Sequence, residues 1–413
     1  MAPRSRLPRR MTGLYSSTSS SDSASLQSQT RSERGFPEAE QSLYNTFTSK
    51  SAQAAGLLSY LGSRNPLPVQ ITARDSVWLM DNVAFRGKSG QWEAEFVAAA
   101  FEGEPSAKIV DYVGDVARLL GLAKGSKEEA VVEHRIKPFV TEILPGRQVK
   151  VDFNRGSKLV KLSPGGRHGI SSDIRQLPAA VDGDVVSSIA DVPAGTTGIL
   201  EMRTKYAEPE GWAVLSDVDD TIKITQTSDP TGILRSTFVS EPTPTNGLPA
   251  FYTKLQALVT PNAPWFYLSA SPYNLYPFLR EFISQHYPPG QLILRDSSWM
   301  TIPGLLSNLT LGTHEYKVDR IKKVHSWLPN RKMILIGDST QSDPEAYGDI
   351  CRRFPGWVKL VLIRRVTDIA AVGSSKKNEP ERFEKAFEGI KAPWHVFEDP
   401  AECEQLVQET VRG

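Results

Sequence analysis

Between Trp212 and Thr225 the chain reads Trp-Ala-Val-Leu-Ser-Asp-Val-Asp-Asp-Thr-Ile-Lys-Ile-Thr. Trp212 to Leu215 are apolar and partly β-branched, which suits a strand covered on both faces. They run straight into Asp217, Asp219 and Asp220, with Thr221 just behind. Carboxylates crowded at the end of a buried strand repel by about 1 kcal/mol per pair at ~4 Å in water, and by several times that at lower effective dielectric. A divalent cation relieves that repulsion, and an all-oxygen donor set favours Mg²⁺ over zinc. Asp217, leaving the sheet first, suits a nucleophile. A carboxylate that attacks phosphorus forms an aspartyl-phosphate and divides one hard displacement into two easier ones. Asp219 lies one pleat further along and suits a general acid and base. Thr221 can orient Asp219 or the loop backbone.

Three more positions carry the same chemistry. Ser269 ends the apolar run Trp265-Phe-Tyr-Leu and can hydrogen-bond a phosphoryl oxygen. Asp338 follows Lys332-Met-Ile-Leu-Ile-Gly and suits a metal ligand, with Asp343 supporting the metal or its waters. Lys317, between these two motifs, supplies a cation to screen a phosphate approaching carboxylates. Taken singly, each has an ordinary reading. Asp-x-Asp-x-Thr also occurs in surface turns, Ser269 is a strand-end serine, Lys317 a helix lysine, and Gly-Asp-Ser a helix N-cap. Together, three motifs end successive expected strands with a lysine before the last, which favours catalysis. His314, close to Lys317, reads as a loop histidine. His325 and His395 show no ligand spacing.

The elements that position these residues alternate strand and helix from about residue 206 onward. Strands are expected at 212–215, 265–269, 291–295, 332–338 and 358–363. Between them, Leu248, Phe251, Tyr252, Leu255, Leu258 and Val259, then Leu275, Phe278, Leu279, Phe282 and Ile283, recur at helical spacing. This implies an α/β fold with a doubly wound, Rossmann-like parallel sheet, whose function gathers beyond the carboxyl ends of the strands. Residues 46–205 read as a smaller β-rich, sandwich-like domain with a helical insertion over about 107–122 and 127–144, where Pro138 ends or kinks the second helix. That domain packs against the next one or serves as a lipid- or protein-docking module. The expected organisation is a disordered Ser/Arg-rich tail over 1–45, the β-rich domain over 46–205, the catalytic domain over 206–400 and a C-terminal tail over 401–413.

The chain has 413 residues, 48 basic against 47 acidic, and a mean hydropathy of −0.31. A net charge of +1 gives no electrostatic case for nucleic acid. No stretch is apolar enough to span a bilayer. Two cysteines, Cys351 and Cys403, exclude a disulfide framework and fit a reducing, cytoplasmic setting. The Arg-rich, acid-poor start reads as a disordered tail or a mitochondrial presequence. The inserts between motifs are short, so an open site is expected, suited to a lipid headgroup or a phosphoprotein. Trp299-Met-Thr-Ile-Pro-Gly-Leu-Leu306 is apolar enough to dip into a membrane interface or to pack under the helix of Lys317.

The order of the motifs resembles the haloacid dehalogenase superfamily of phosphohydrolases. More narrowly, Leu215-Ser-Asp-Val-Asp-Asp-Thr-Ile222, Tyr267-Leu-Ser-Ala-Ser-Pro-Tyr273, and Leu335-Ile-Gly-Asp-Ser339 with Asp343-Pro-Glu-Ala-Tyr347 resemble the fungal actin-patch phosphatidate phosphatase family. The resemblance covers roughly 206–370. It implies Mg²⁺-dependent removal of phosphate from phosphatidate, or another phosphorylated lipid, by a protein peripheral to membranes. Asp217 and Asp219 carry over as nucleophile and acid/base, and Asp217, Asp219 and Asp338 form the implied metal set. Endocytic or actin-patch proteins are implied partners. The family's proline-rich tail for SH3 partners has no counterpart before Gly413, which weakens that expectation. Two rival readings are a phosphatase acting on a phosphoprotein or soluble phosphomonoester, and a trafficking adaptor with a vestigial site. The intact Asp217, Asp219, Lys317 and Asp338 argue against the adaptor.

Overall fold

The computed structural model describes Gly62, Asn65 and residues 68–105, 109–296, 312–367 and 374–413. The serine-rich start and the apolar stretch Trp299 to Leu306 lie outside the described residues. In chain order the first half contains β1 (Val69–Gln70), β2 (Asp75–Leu79), β3 (Asn82–Arg86) and β4 (Trp92–Pro105). The helices α1 (Ile109–Leu120) and α2 (Lys127–Val140) follow. Then come β5 (Thr141–Ile143), β6 (Arg147–Gln148), β7 (Lys150–Phe153), β8 (Lys158–Lys161), β9 (Ile170–Gln176), β10 (Val185–Ala190), β11 (Thr197–Ile199) and β12 (Glu201–Tyr206).

Where a sandwich of two stacked sheets is expected, ten of the twelve strands form one connected sheet, and β1 and β6 pair in a separate two-stranded sheet. The path of the large sheet is β11-β2-β4-β3-β12-β10-β7-β8, with β5 and β9 also on β4. The reason is the length of β4. Its 14 residues pair with β2 and β3 along one edge and with β9 and β5 along the other. The far end of the sheet curls back to β9: Lys158 Nζ donates to the Gln176 carbonyl (2.6 Å) and Ser163 N to Asp173 (2.7 Å). The period of two along β4 then sorts its side chains. Ala94, Phe96, Ala98 and Ala100 fill the core of this sheet, whereas Val97, Ala99 and Phe101 enter a core shared with the second half of the chain. The helical insertion falls where expected, between β4 and β5. Its second helix ends just past Pro138, where β5 takes over.

The second half contains β13 (Trp212–Asp217), α3 (Pro230–Phe238), α4 (Leu248–Val259), β14 (Trp265–Pro272), α5 (Tyr276–His286), β15 (Gln291–Arg295), α6 (Thr313–Trp327), β16 (Lys332–Asp338), α7 (Asp343–Arg353), β17 (Val358–Arg364), α8 (Ser374–Lys377), α9 (Pro380–Ala386), β18 (Trp394–Phe397) and α10 (Cys403–Arg412). Its six strands are all parallel, in the order β15-β14-β13-β16-β17-β18. Every residue of β13 and β14 is buried. Alternate strand residues part to opposite faces. Val214, Tyr267, Ile334 and Leu360 meet α4, α5 and α10, while Leu215, Phe266, Leu335 and Val361 meet α6, α7 and α9. This is the parallel sheet covered on both faces that the strand–helix alternation predicts.

Several elements were not anticipated, among them β9 and β10 in the first half and α8 and α9 in the second. α3 follows the first motif, β18 extends the sheet beyond β17, and α10 replaces the expected tail over 401–413 with Cys403 and Val407 buried. Both cysteines are free and buried. Among the described residues, no helix is long and apolar enough to cross a membrane.

Candidate active site

From β13 the chain steps to β14 and β15 on one side, then returns to β16, β17 and β18 on the other. The carboxyl ends of β13, β14 and β16 therefore surround the point where strand order reverses, the usual place for a ligand in an open parallel sheet. Asp217 ends β13, Ser269 lies in β14, and Asp338 ends β16. Asp343 is the first residue of α7, where a carboxylate suits the positive end of the helix dipole. Lys317 reaches the same point from α6. Its ammonium pairs with Asp217 Oδ1 at 2.7 Å and with Asp343 Oδ1. Thr221 Oγ1 lies 3.1 Å from Asp217 Oδ2 and 3.3 Å from Asp338 Oδ2, tying the first motif to the last. The Asp338 backbone N–H donates to Asp343 Oδ2 at 3.1 Å.

Asp217, Asp338 and Asp343 are fully buried and present carboxylate oxygens that all lie within 4.8 Å of one another. Burial, with Asp343 close by, holds the Asp217 carboxyl well above its ordinary value despite Lys317. Burial and Asp343 likewise push Asp338 up to about 7. Burial works against the Lys317 ammonium, but Asp217 and Asp343 overcome it and raise its pKa. Three carboxylates face one lysine, so the ionised cluster carries excess negative charge in a site without water's dielectric. That imbalance and the oxygen-only donor set fit a hard divalent cation such as Mg²⁺.

This geometry sets a sign for pH dependence. Between the ordinary value of 3.8 and about 7, the folded metal-free protein binds a proton at Asp338 that the unfolded chain has released. Its stability is therefore expected to fall as pH rises through that window. Metal requires the ionised ligands, so stabilisation by Mg²⁺ should grow over the same range. Thermal unfolding at pH 5, 6, 7 and 8, in chelator and in Mg²⁺, checks both slopes. A Mg²⁺-induced rise in Tm independent of pH would contradict the assignment.

Asp219 does not join the cluster of Asp217, Asp338 and Asp343, which departs from the expected metal set. The strand ends at Asp217 and the chain turns just beyond it, with Asp219 bridged to Lys223, so the carboxylate of Asp219 meets other partners. Ser269 Oγ donates to Asp219 Oδ2 at 2.5 Å, Ser271 Oγ to the same oxygen at 3.3 Å, and Thr225 Oγ1 to Oδ1 at 2.9 Å. Ser269 thus holds Asp219, and its own oxygen accepts from the Ser271 N–H (2.9 Å). Asp343, expected only in support, takes Asp219's place in the cluster.

The sequence reading assigned no role to several of these residues. Asp220 adopts a left-handed backbone with φ of 61°, a conformation that Asp and Asn tolerate among non-glycine residues. Its carboxylate accepts from the N–H groups of Thr225, Gln226 and Thr227 and from Thr227 Oγ1, at 2.6–2.8 Å. It thereby folds the segment after the first motif over the site. Lys223, buried beside Asp219, has its pKa lowered by burial and donates to Thr225 Oγ1 at 2.9 Å. Thr340 Oγ1 donates to Asp338, and Lys377 Nζ reaches Ser228 Oγ at 2.9 Å from α8. Only the Ser271 contact had a usable signal, since the spacing from Ser269 places both on one face of a strand. His314 pairs with Asp349 of α7 (3.1 Å).

The β-rich half also reaches this region. Tyr273 Oη donates to the His168 carbonyl and Asn274 Nδ2 to the Pro138 carbonyl, each at 2.7 Å, anchoring the segment that follows Ser271. Phe139 of α2 packs edge-to-face on Phe238 of α3 at 5.3 Å between ring centroids.

Residues 212–365 match the family described as phosphatidate phosphatase APP1, catalytic domain. The chain is 26% identical over 298 residues to the phosphatidate phosphatase APP1 of Saccharomyces cerevisiae, covering 70% of this chain and 48% of that protein. It is 26% identical over 158 residues to an uncharacterized protein of Schizosaccharomyces pombe, covering 38% of this chain and 25% of the relative. The chain thus spans about half the length of the first relative and a quarter of the second. Among solved structures, the PilB minor pilin from Streptococcus sanguinis aligns over 64% of this chain and 86% of that one at 10% identity. Its TM-score of 0.24 is too low to inform the fold. The matched segment begins with β13 and ends just after β17, so it contains all seven of the residues expected at the site.

Proposed function

We propose that this chain is a Mg²⁺-dependent phosphatidate phosphatase working through an aspartyl-phosphate on a haloacid-dehalogenase-like scaffold. The observation that carries the reading is the buried cluster of Asp217, Asp338 and Asp343 around the Lys317 ammonium at the switch point of the parallel sheet. The family match adds the lipid substrate for which the yeast relative is named.

In this mechanism a carboxylate oxygen of Asp217 attacks phosphorus, and the bond from phosphorus to the glycerol oxygen breaks. Asp219, protonated at that moment, gives its proton to the departing oxygen, which leaves as the hydroxyl of diacylglycerol. Asp219 then takes a proton from water. The resulting hydroxide attacks the phosphorus of the aspartyl-phosphate, releasing inorganic phosphate and restoring Asp217. Ser269, Ser271 and Thr225 hold Asp219 in position through both steps. Lys317 lowers the repulsion between Asp217 and the incoming phosphate. A divalent cation held by Asp217, Asp338 and Asp343 would neutralise the phosphoryl oxygens.

The test is phosphate release from phosphatidate in mixed micelles, with Mg²⁺ and with chelator, beside a soluble phosphomonoester. Metal-dependent release from the lipid, well above that from the soluble ester, is the expected result. Release from the soluble ester alone would keep the mechanism and reject the lipid substrate. Release from neither would reject the reading.

A further inference from the structure

Helix α6 buries three cations. Lys317, Arg320 and Lys323 recur at every third residue, a slowly drifting stripe of the helix, and their side chains are 0%, 1% and 5% exposed. Each meets a carboxylate from a different part of the chain. Lys317 meets Asp217 and Asp343 at the site, and Arg320 meets Asp296 beyond β15 at 3.6 Å. Lys323 meets Glu95 of β4, in the β-rich half. Glu95 is 2% exposed. Ser172 of β9 donates to the same Glu95 oxygen that takes the Lys323 ammonium. The Asn82 amide binds the Glu95 backbone carbonyl at 2.8 Å. Glu95 also acts on Arg320, helping Asp296 to raise its pKa against burial.

A buried ion pair is a poor source of stability, because removing two ions from water costs several kcal/mol each and an apolar pair of similar volume often does as well. What it does impose is position, since each charge tolerates few alternative placements. β4 is clamped on both edges by other strands, so Glu95 is a rigid reference point. Lys323 and Lys317 share one helix, so fixing the first fixes the second.

We propose that Glu95 is a positioning residue for catalysis: by binding Lys323 across the seam between the two halves, it sets the placement of α6 and hence of the Lys317 ammonium at Asp217. The β-rich half is then a working part of the phosphatase site rather than a docking appendage. The inference rests on the phosphatase reading for its kinetic arm only.

The experiment compares Glu95→Gln, the double variant Glu95→Gln with Lys323→Met, and the conservative Lys323→Arg. Glu95→Gln leaves a buried ammonium uncompensated and should lower both Tm and kcat. The double variant removes both charges and should regain Tm. If the pair positions Lys317, the double variant still loses at least about tenfold in kcat, with KM for phosphatidate little changed, while Lys323→Arg retains most activity. If kcat returns together with Tm, the pair has only a stability role and the proposal is overturned. Hydrogen exchange on α6 gives a reading independent of catalysis. Faster exchange there in the stable double variant supports the proposal, and unchanged exchange overturns it even in a chain that hydrolyses nothing.

Discussion

Asp217→Asn should reduce phosphate release from phosphatidate by more than about 10³-fold, because a neutral amide cannot form the acyl-phosphate on which both displacement steps depend. The same change should not unfold the protein. Asp217 is held well above its ordinary pKa by burial and by Asp343, so the metal-free fold strains to keep it ionised. Replacing it removes one of three mutually repelling carboxylates, while Lys317 keeps Asp343 as partner. The metal-free Tm should therefore stay level or rise even as activity disappears. Measuring both on one preparation separates the assignment from a folding defect. Substantial turnover in a well-folded Asp217→Asn protein would remove Asp217 as nucleophile.

Lys317→Met should be harmful in both respects. The thioether fills much of the space, but Asp217 and Asp343 lose the cation that holds them. Removing one partner of a fully buried ion pair costs about 3–5 kcal/mol, and here two carboxylates share the lost partner. A large fall in Tm in chelator at pH 8 is expected. It should be smaller at pH 5, where burial keeps protons on Asp217 and Asp338, and partly reversed by Mg²⁺. Activity should fall by at least about 10²-fold even where Mg²⁺ restores the fold, since the approaching phosphate loses its screen. A Tm loss that is the same at pH 5 and pH 8 would show that the ammonium does not balance these carboxylates.

The contrast between these variants follows from the charge count at the site. Asp217 belongs to the side in excess, and Lys317 is the lone cation paired with the cluster among the described residues. Removing the first should therefore relieve the metal-free protein and silence the proposed chemistry, whereas removing the second should damage both.

The second half was legible because its signals are local. Buried parallel strands read as short apolar runs, and the acids stand where those runs stop, so Asp217 and Asp338 fall at strand ends without any knowledge of packing, while Ser269 ends an apolar run whose strand continues to Pro272. Helices α4 and α5 showed themselves through apolar residues at helical spacing. The elements that escaped notice lack such signals. α3 is short and follows a loop, β18 is an edge strand of four residues, and α10 carries glutamate, glutamine and arginine around two buried anchors.

By itself the sequence determined that an acidic, oxygen-rich site ends a parallel sheet, with Lys317 as its cation, because residue type and strand alternation are properties of a few neighbouring positions. Only the tertiary structure decided how the acids divide. Asp343 joins Asp217 and Asp338 because the first turn of α7 carries it back over β16, whereas the carboxylate of Asp219 is claimed by Ser269, Ser271 and Thr225. The single curled sheet was likewise decided in three dimensions, since strand periodicity says which face is buried but not which strands share an edge. The same is true of Glu95. In sequence it is one acid among many in a strand of the β-rich half, and its meeting with Lys323 spans 228 positions that no local pattern connects.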